Sequence, residues 1–202
     1  ERWYAERKVL QKNMRDNQAA GNIEETAYWD KRQLVKKINL NSLYGALLNP
    51  GSRFNDPRMG QSTTLTGRCI ARHMGAKVNE LFTGIYDHVG DSIIYGDTDS
   101  VYFSAYPVFR QQIESGEFAW DKDKVTELYE TVCEQANETF PDYMATAHNV
   151  LNREQGEIIA AAREVSATAG IYITKKRYAI LVYDNEGHRE DKDDKPGKIK
   201  AM

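Results

Sequence analysis

Cysteine is scarce in this chain, with only Cys69 and Cys133 among 202 residues. They form no CxxC pair, so neither a zinc ribbon nor a disulfide framework is written here, and two buried free thiols in a reducing cytoplasm are expected. No apolar run reaches about 18 residues, which leaves no candidate for a membrane-spanning helix and no membrane partner. The first residues, "ERWYAERKVL", are charged and lack the apolar centre of a secretory signal. The chain opens at Glu1 without an initiator methionine, and that start reads as an internal cut. Excess charge of one sign is also lacking: 27 Lys and Arg face 30 Asp and Glu, a net −3, so bulk charge does not advertise a nucleic-acid binder. With 41% hydrophobic and 28% charged residues, the composition fits a soluble globular chain of one large or two small domains.

The average hides basic clusters at Arg7, Lys8, Lys12 and Arg15, at Lys31, Arg32, Lys36 and Lys37, and at Lys175, Lys176 and Arg177. Residues 1 to about 18 read as a basic helix, followed by a turn at Gly21. A second helix is expected from about Thr26, as its N-cap, to Leu47, packed antiparallel on the first. "NPGSRFNDPRMG" reads as loop. From about Ser62 to Phe82, Leu65, Cys69, Met74, Val78 and Leu81 repeat with a helical period. "SIIYGDTDSVYFSAY" has the form of a β-hairpin. Residues 123 to 140 are helical, with Val125, Leu128, Val132 and Cys133 on one stripe. The stretch 157–184 predicts two or three strands, and the polar tail after it predicts loop. There is no internal repeat. The order is α, α, α, hairpin, α, strands: an α+β arrangement with an antiparallel sheet.

Three short stretches carry chemistry. In "YGDTDS", alternation along an extended chain places Asp97 and Asp99 on one face with Thr98 on the other. Two carboxylates there repel unless a cation joins them, and an oxygen-only set suits Mg²⁺ or Mn²⁺; the plainer reading is a hairpin tip using Asp for turn chemistry. In "KKINLNSLYG", Lys37, Asn41 and Tyr44 fall at i, i+4 and i+7, lining one helix face with an ammonium, an amide and a phenol. That face suits a triphosphate and a base, and Gly45 next to it removes a Cβ where something bulky can approach. The alternative is an amphipathic helix with Leu34, Ile38 and Leu43 in the core. In "KKRYAI", a strand would direct Lys175 and Arg177 to one side and Lys176 and Tyr178 to the other. Such a ribbon grips a phosphate backbone or guards a sheet edge.

Taken in this order, "KINLNSLYG", "YGDTDS" and "KKRY" resemble the motifs of family B DNA polymerases, the T-even bacteriophage replicative group in particular, over nearly the whole chain. The resemblance implies a helical-hairpin fingers segment over 1–49 and an incomplete antiparallel-sheet palm over 50–202. It implies two-metal nucleotidyl transfer from dNTPs to a primer 3′ end, with two Mg²⁺ or Mn²⁺ ions. Asp99 would be shared by both ions with Asp97 beside it, and Glu164 in "AAREVSA" resembles the additional palm carboxylate. Lys37 would neutralise the triphosphate beside Asn41, and Tyr44 would line the nascent base pair. Gly45, Lys175, Lys176, Arg177 and Tyr178 would contact DNA, with Lys176 and its neighbours holding the primer. The opening helix resembles the first fingers helix, where an Arg and a Lys one turn apart contact phosphates. Arg7 matches; Gln11 takes the expected lysine place and Lys12 follows it. The implied partners are primer–template DNA, dNTPs, the remaining exonuclease, palm and thumb segments in cis or as a separate subunit, and a sliding clamp as a further candidate. The implied location is the cytoplasm, that of an infected bacterium for a phage gene.

The D-x-x-S-L-Y-P-S segment with the family's other catalytic aspartate does not occur in the sequence, so inactivity alone is expected; strands that would pair with the absent palm strands would leave an open sheet edge and apolar surface, so marginal solubility alone is expected as well. Two other readings compete. A noncatalytic nucleic-acid-binding remnant is compatible with the missing aspartate, but not well with the intact motifs. A D-x-D nucleotide-sugar transferase needs an alternating β/α half where helices stand here.

Overall fold

The structure is a computed structural model and describes residues 2–148, 159–191 and 195–202. It is mixed: helices α1 Arg2–Ala19, α2 Ile23–Leu48, α3 Pro57–Thr83, α4 Tyr106–Glu114 and α5 Lys122–Ala147 accompany strands β1 Ile93–Asp97, β2 Ser100–Phe103, β3 Val165–Thr174, β4 Arg177–Asn185, β5 His188–Arg189 and β6 Lys198–Ala201. All pairings are antiparallel. The chain divides into two compact units, Glu1–Leu65 and Thr66–Met202. None of the helices found is long and apolar enough to cross a membrane, among the described residues.

In the first unit α1 and α2 form a helical hairpin. Gly21 makes the turn at φ +75, a conformation glycine adopts without strain. The second helix begins at Ile23, three residues before the expected start. Glu24 and Glu25 favour the positive end of the helix dipole, and the Thr26 hydroxyl donates back to the Asn22 carbonyl at 2.7 Å instead of capping. Cross-links are polar: Glu6 pairs with Lys36, and Arg7 Nε donates to Gln33 Oε1 at 3.3 Å. Neither helix has a fully buried residue, and Leu34, Ile38 and Leu43 are about half exposed, so the apolar stripe of the alternative reading forms no core. The "NDPR" part of the expected loop is instead a helix start. Asp56 accepts the Arg58 amide at 3.0 Å, and Pro57 sits where a missing N–H costs nothing.

The second unit holds the cores. On α5, Val125, Val132, Ala136, Phe140 and Met144 are buried at helical spacing, and the Asp121 carboxylate caps the Asp123 amide at 2.9 Å. On α3 the buried side is His73, Ala76, Val78 and Asn79, while Leu65 and Cys69 are exposed. The expected burial of both thiols therefore fails at Cys69; Cys133 is partly buried, and burial raises its pKa. Asn79 is 1% exposed and fully used: its Oδ1 accepts the Ser92 amide at 3.1 Å and hydroxyl at 2.9 Å, and its Nδ2 donates to the Ile85 carbonyl at 2.9 Å. That one amide fastens the chain entering β1 to α3.

β1 and β2 form the expected hairpin, and β3, β4, β5 and β6 a second sheet with β4 paired to each of the others. β4 alternates, with Tyr178, Ile180 and Val182 buried against Tyr95, Tyr102, Val165 and Tyr172. Each such apolar burial stabilises by about 1.5–3 kcal/mol. The polar tail is not all loop: β5 and β6 find their hydrogen bonds on β4, with Ile199 opposite Leu181. Among the described residues β3 pairs with β4 alone, and it exposes Ile171 and Ile173, 68% and 74% accessible.

Candidate nucleotidyl-transfer and nucleic-acid site

The acidic tip is a turn, not an extended run. Asp97 closes β1 opposite Ser100, and Thr98 and Asp99 form the two-residue loop with Thr98 at φ +41. Alternation of faces thus does not apply to Asp99, which has left the strand. Asp97 is partly buried; its Oδ1 accepts the Thr98 hydroxyl at 3.1 Å, and its carbonyl accepts the Ser100 hydroxyl at 3.1 Å. Asp99 is exposed. It lines a cavity of about 870 Å³ in the second unit, and Glu164 lines the same cavity.

Glu164 is held by its surroundings. Its carbonyl accepts the Glu186 amide at 2.7 Å, just before Val165 pairs with Asn185, and its carboxylate meets Lys200 Nζ at 2.8 Å. The preceding side chain, Arg163, lies in a buried ion network with Asp184 and Glu130. Sequence reading overlooked that arginine, whose only signal was a charge among small and apolar neighbours.

Among the described residues no three His, Cys, Asp or Glu side chains converge as a complete metal cage. The donors do suit a hard divalent ion: carboxylate oxygens on a cavity wall, to be completed by phosphate and water, are the set that Mg²⁺ takes. The residues fit a partial ligand set and no more.

The basic motif also differs from the expected strand. Lys175 and Lys176 form the turn between β3 and β4, with Thr174 opposite Arg177 and Lys176 at φ +61. Lys175, Lys176 and Arg177 are exposed, while Tyr178 is 6% accessible and pairs its hydroxyl with that of Tyr102 at 2.8 Å. Tyr178 is a core residue here. Burial first, and the Tyr178 hydroxyl next, push the Tyr102 phenol well above its ordinary range, and burial pushes that of Tyr172 up to about 12. Both phenols stay protonated and able to donate.

On α2, Lys37 and Asn41 are exposed and Tyr44 is half-buried, on one helix face as their spacing requires. A Cβ on Gly45 would meet nothing within 4 Å, so among the described residues no neighbour demands glycine there. Arg7 is committed to Gln33, and Lys12 is exposed on α1.

The sequence pattern of DNA polymerase family B matches residues 1–144, so the chain belongs to that family. Among individual proteins, it is 30% identical to the DNA-directed DNA polymerase of Escherichia phage RB69 over 164 residues and 32% identical to that of Enterobacteria phage T4 over 170 residues. Each alignment covers 78% of this chain. DNA polymerase II of Escherichia coli is 38% identical over 66 residues, 33% of this chain and 7% of that protein. The chain spans 18% of the length of either phage relative.

Proposed function

We propose that this chain supplies part of the active centre of a DNA-directed DNA polymerase that extends a primer from dNTPs by two-metal nucleotidyl transfer. Residues 1–49 serve as the fingers hairpin and 50–202 as part of the palm. The observation that carries the reading is that Asp99, in the turn of the β1–β2 hairpin, and Glu164, just before β3 and about sixty-five residues on, line the same cavity.

In the reaction, the primer 3′ oxygen bonds to the α-phosphorus, the bridging P–O bond to the β-phosphate breaks, and pyrophosphate leaves with the hydroxyl proton released. Divalent ions, when bound, lower the pKa of that hydroxyl and neutralise charge on the leaving phosphates. Asp99 and Asp97 would hold them from the hairpin, and Glu164, which pairs with Lys200, would supply a further carboxylate. Lys37 sets an ammonium against the triphosphate, Asn41 adds a hydrogen bond beside it, and Tyr44 lays a ring along the base pair. Arg7 and Lys12 add positive charge for the phosphates. The Lys175–Arg177 turn binds the primer backbone, a sequence-independent contact. Tyr178 supports that turn from beneath. Remaining polymerase segments, in cis or as a second subunit, provide the further catalytic aspartate.

The test is primer extension with Mg²⁺ and four dNTPs, using the chain mixed with a polypeptide that carries the upstream aspartate segment. Synthesis is expected in the mixture, abolished by Asp99→Ala and slowed by Lys37→Ala. Extension at the parental rate by the Asp99→Ala mixture overturns the assignment.

A further inference from the structure

The acidic and basic motifs meet through packed tyrosine rings and through one directional hydrogen bond. The Lys176 amide donates to the Tyr95 hydroxyl oxygen at 2.8 Å, across 81 residues of chain. Tyr95 stands on β1 two residues before Asp97, and Lys176 is at the tip of the β3–β4 turn. Lys176 adopts a left-handed conformation, φ +61, which costs energy for any residue with a side chain and persists where neighbours enforce it.

The enforcement is dense. The Tyr95 ring packs against Tyr102, Tyr172 and Tyr178 with centroids 5.7, 5.6 and 5.9 Å away. A Cβ at Gly170 would stand 3.0 Å from the Tyr172 ring, so glycine at that position lets the ring lie where it does. Four rings therefore fix the height of one hydroxyl, and that hydroxyl fixes one amide. Lys175, Lys176 and Arg177 have no salt bridge among the described residues and stay open to solvent.

We infer that Tyr95 is a positioning residue for the primer-strand contact: its hydroxyl sets where the Lys175–Lys176 turn stands relative to the Asp97–Asp99 tip, so that phosphate grip and acidic tip are held as one piece. This rests on the proposed reading of that turn as a nucleic-acid contact. A ring serving packing alone would lose nothing on conversion to phenylalanine, since Tyr95→Phe keeps every ring contact and removes only the acceptor.

Two measurements on the 202-residue chain test it. Amide hydrogen exchange reads the wiring, and fluorescence anisotropy with a labelled primer–template duplex, at one stated salt concentration, reads its consequence. In Tyr95→Phe, exchange at the Lys176 amide is expected to accelerate, and duplex affinity to fall about three- to tenfold, the factor that one net hydrogen bond represents. Tyr172→Phe, which removes a hydroxyl of the same cluster and leaves the Tyr95 acceptor, is expected to change neither. In a Lys175→Ala, Lys176→Ala background Tyr95→Phe is expected to add no further loss, whereas general loosening of the fold would add the same loss again.

Unchanged exchange at Lys176, unchanged affinity, or an equal loss in the lysine-free background overturns the inference while the polymerase reading stands. No duplex binding by the parent chain, with Lys176 exchange still accelerated in Tyr95→Phe, overturns the nucleic-acid role of the turn and the inference with it.

Discussion

Arg163→Met tests whether the cavity carboxylate owes its place to a buried ion network. The Arg163 side chain is 8% accessible and that of Asp184 5%, and the two are directly paired. Arg163 Nη1 also donates to Ser166 Oγ at 3.3 Å, while Nε and Nη2 reach Glu130 Oε1 at 3.2 and 2.8 Å. Burial works against the guanidinium charge, but the bonds to Glu130 and Asp184 outweigh it and its pKa is raised. Methionine keeps the apolar stem and deletes the charge. Asp184 is then left buried with the Gly187 amide, at 3.1 Å, as its donor. Removing one member of a buried pair costs about 3–5 kcal/mol, whereas the Glu130 arm, on a half-exposed side chain, contributes about 0.2–1 kcal/mol. A double replacement, Arg163→Met with Asp184→Leu, removes the stranded charge as well and is expected to recover most of the loss. Urea titration read by amide exchange along β3 and β4 reports on the second unit directly. A single variant within about 1 kcal/mol of the parent, or a double variant no more stable than the single, would refute the argument that the charge is held by its partner. The consequence reaches the site because Glu164 is the next residue.

His73 carries the pH dependence. Its ring bonds the Tyr86 hydroxyl at 2.7 Å and the Thr139 hydroxyl at 2.9 Å and stacks on Tyr143 at 3.9 Å; burial, then the Lys77 charge, lowers its pKa from 6.5. A lowered folded pKa means the stabilisation is complete above pH 6.5 and is lost as pH falls through the folded value, so thermal melts from pH 7.5 to 4.5 should show an acid-side decline that His73→Phe flattens. Asp121→Ala removes the α5 cap and should cost about 1 kcal/mol by urea titration, with Asp121→Asn nearly neutral. Gly197→Ala places a Cβ 2.3 Å from the Val182 carbonyl oxygen at a φ of +129, so amide protection over Lys198–Ala201 should vanish while that of β3 persists.

Sequence alone made the acidic hairpin and the first three helices legible, because apolar and β-branched spacing encodes local structure. It placed the acidic motif on a hairpin and the Lys37 motif on a helix, but set Lys175 and Lys176 on a strand where the structure has a turn. Asp99 and Lys176 both stand in two-residue turns at which alternation stops, with positive φ carried by Thr98 and Lys176 rather than by a glycine that would have signalled it. The nine-residue α4 went unseen because its tyrosine reads equally well as the end of a strand; the Ser104 hydroxyl, accepting the Tyr106 amide at 3.1 Å, and a proline in the first turn start it. β6 is polar on its own and becomes a strand because β4 offers a free edge, which no local pattern records.

The same reasoning separates what the tyrosines do from what a motif can say. "YGDTDS" and "KKRY" each contain a tyrosine; the sequence reading gave Tyr178 a DNA contact and left Tyr95 as an apolar flank of the acidic pair. In the fold those tyrosines are the connection: Tyr95 accepts the Lys176 amide, Tyr178 and Tyr102 share a hydroxyl–hydroxyl bond, and Tyr172 closes the group over Gly170. Charges at a site must stay solvated enough to meet a ligand and still be held in place. Aromatic rings with a hydroxyl at the rim meet both needs, burying area below and presenting one directional bond above. The charged residues of the site therefore depend on aromatic neighbours whose spacing in the chain, 81 residues for the Lys176–Tyr95 bond, no short motif can encode.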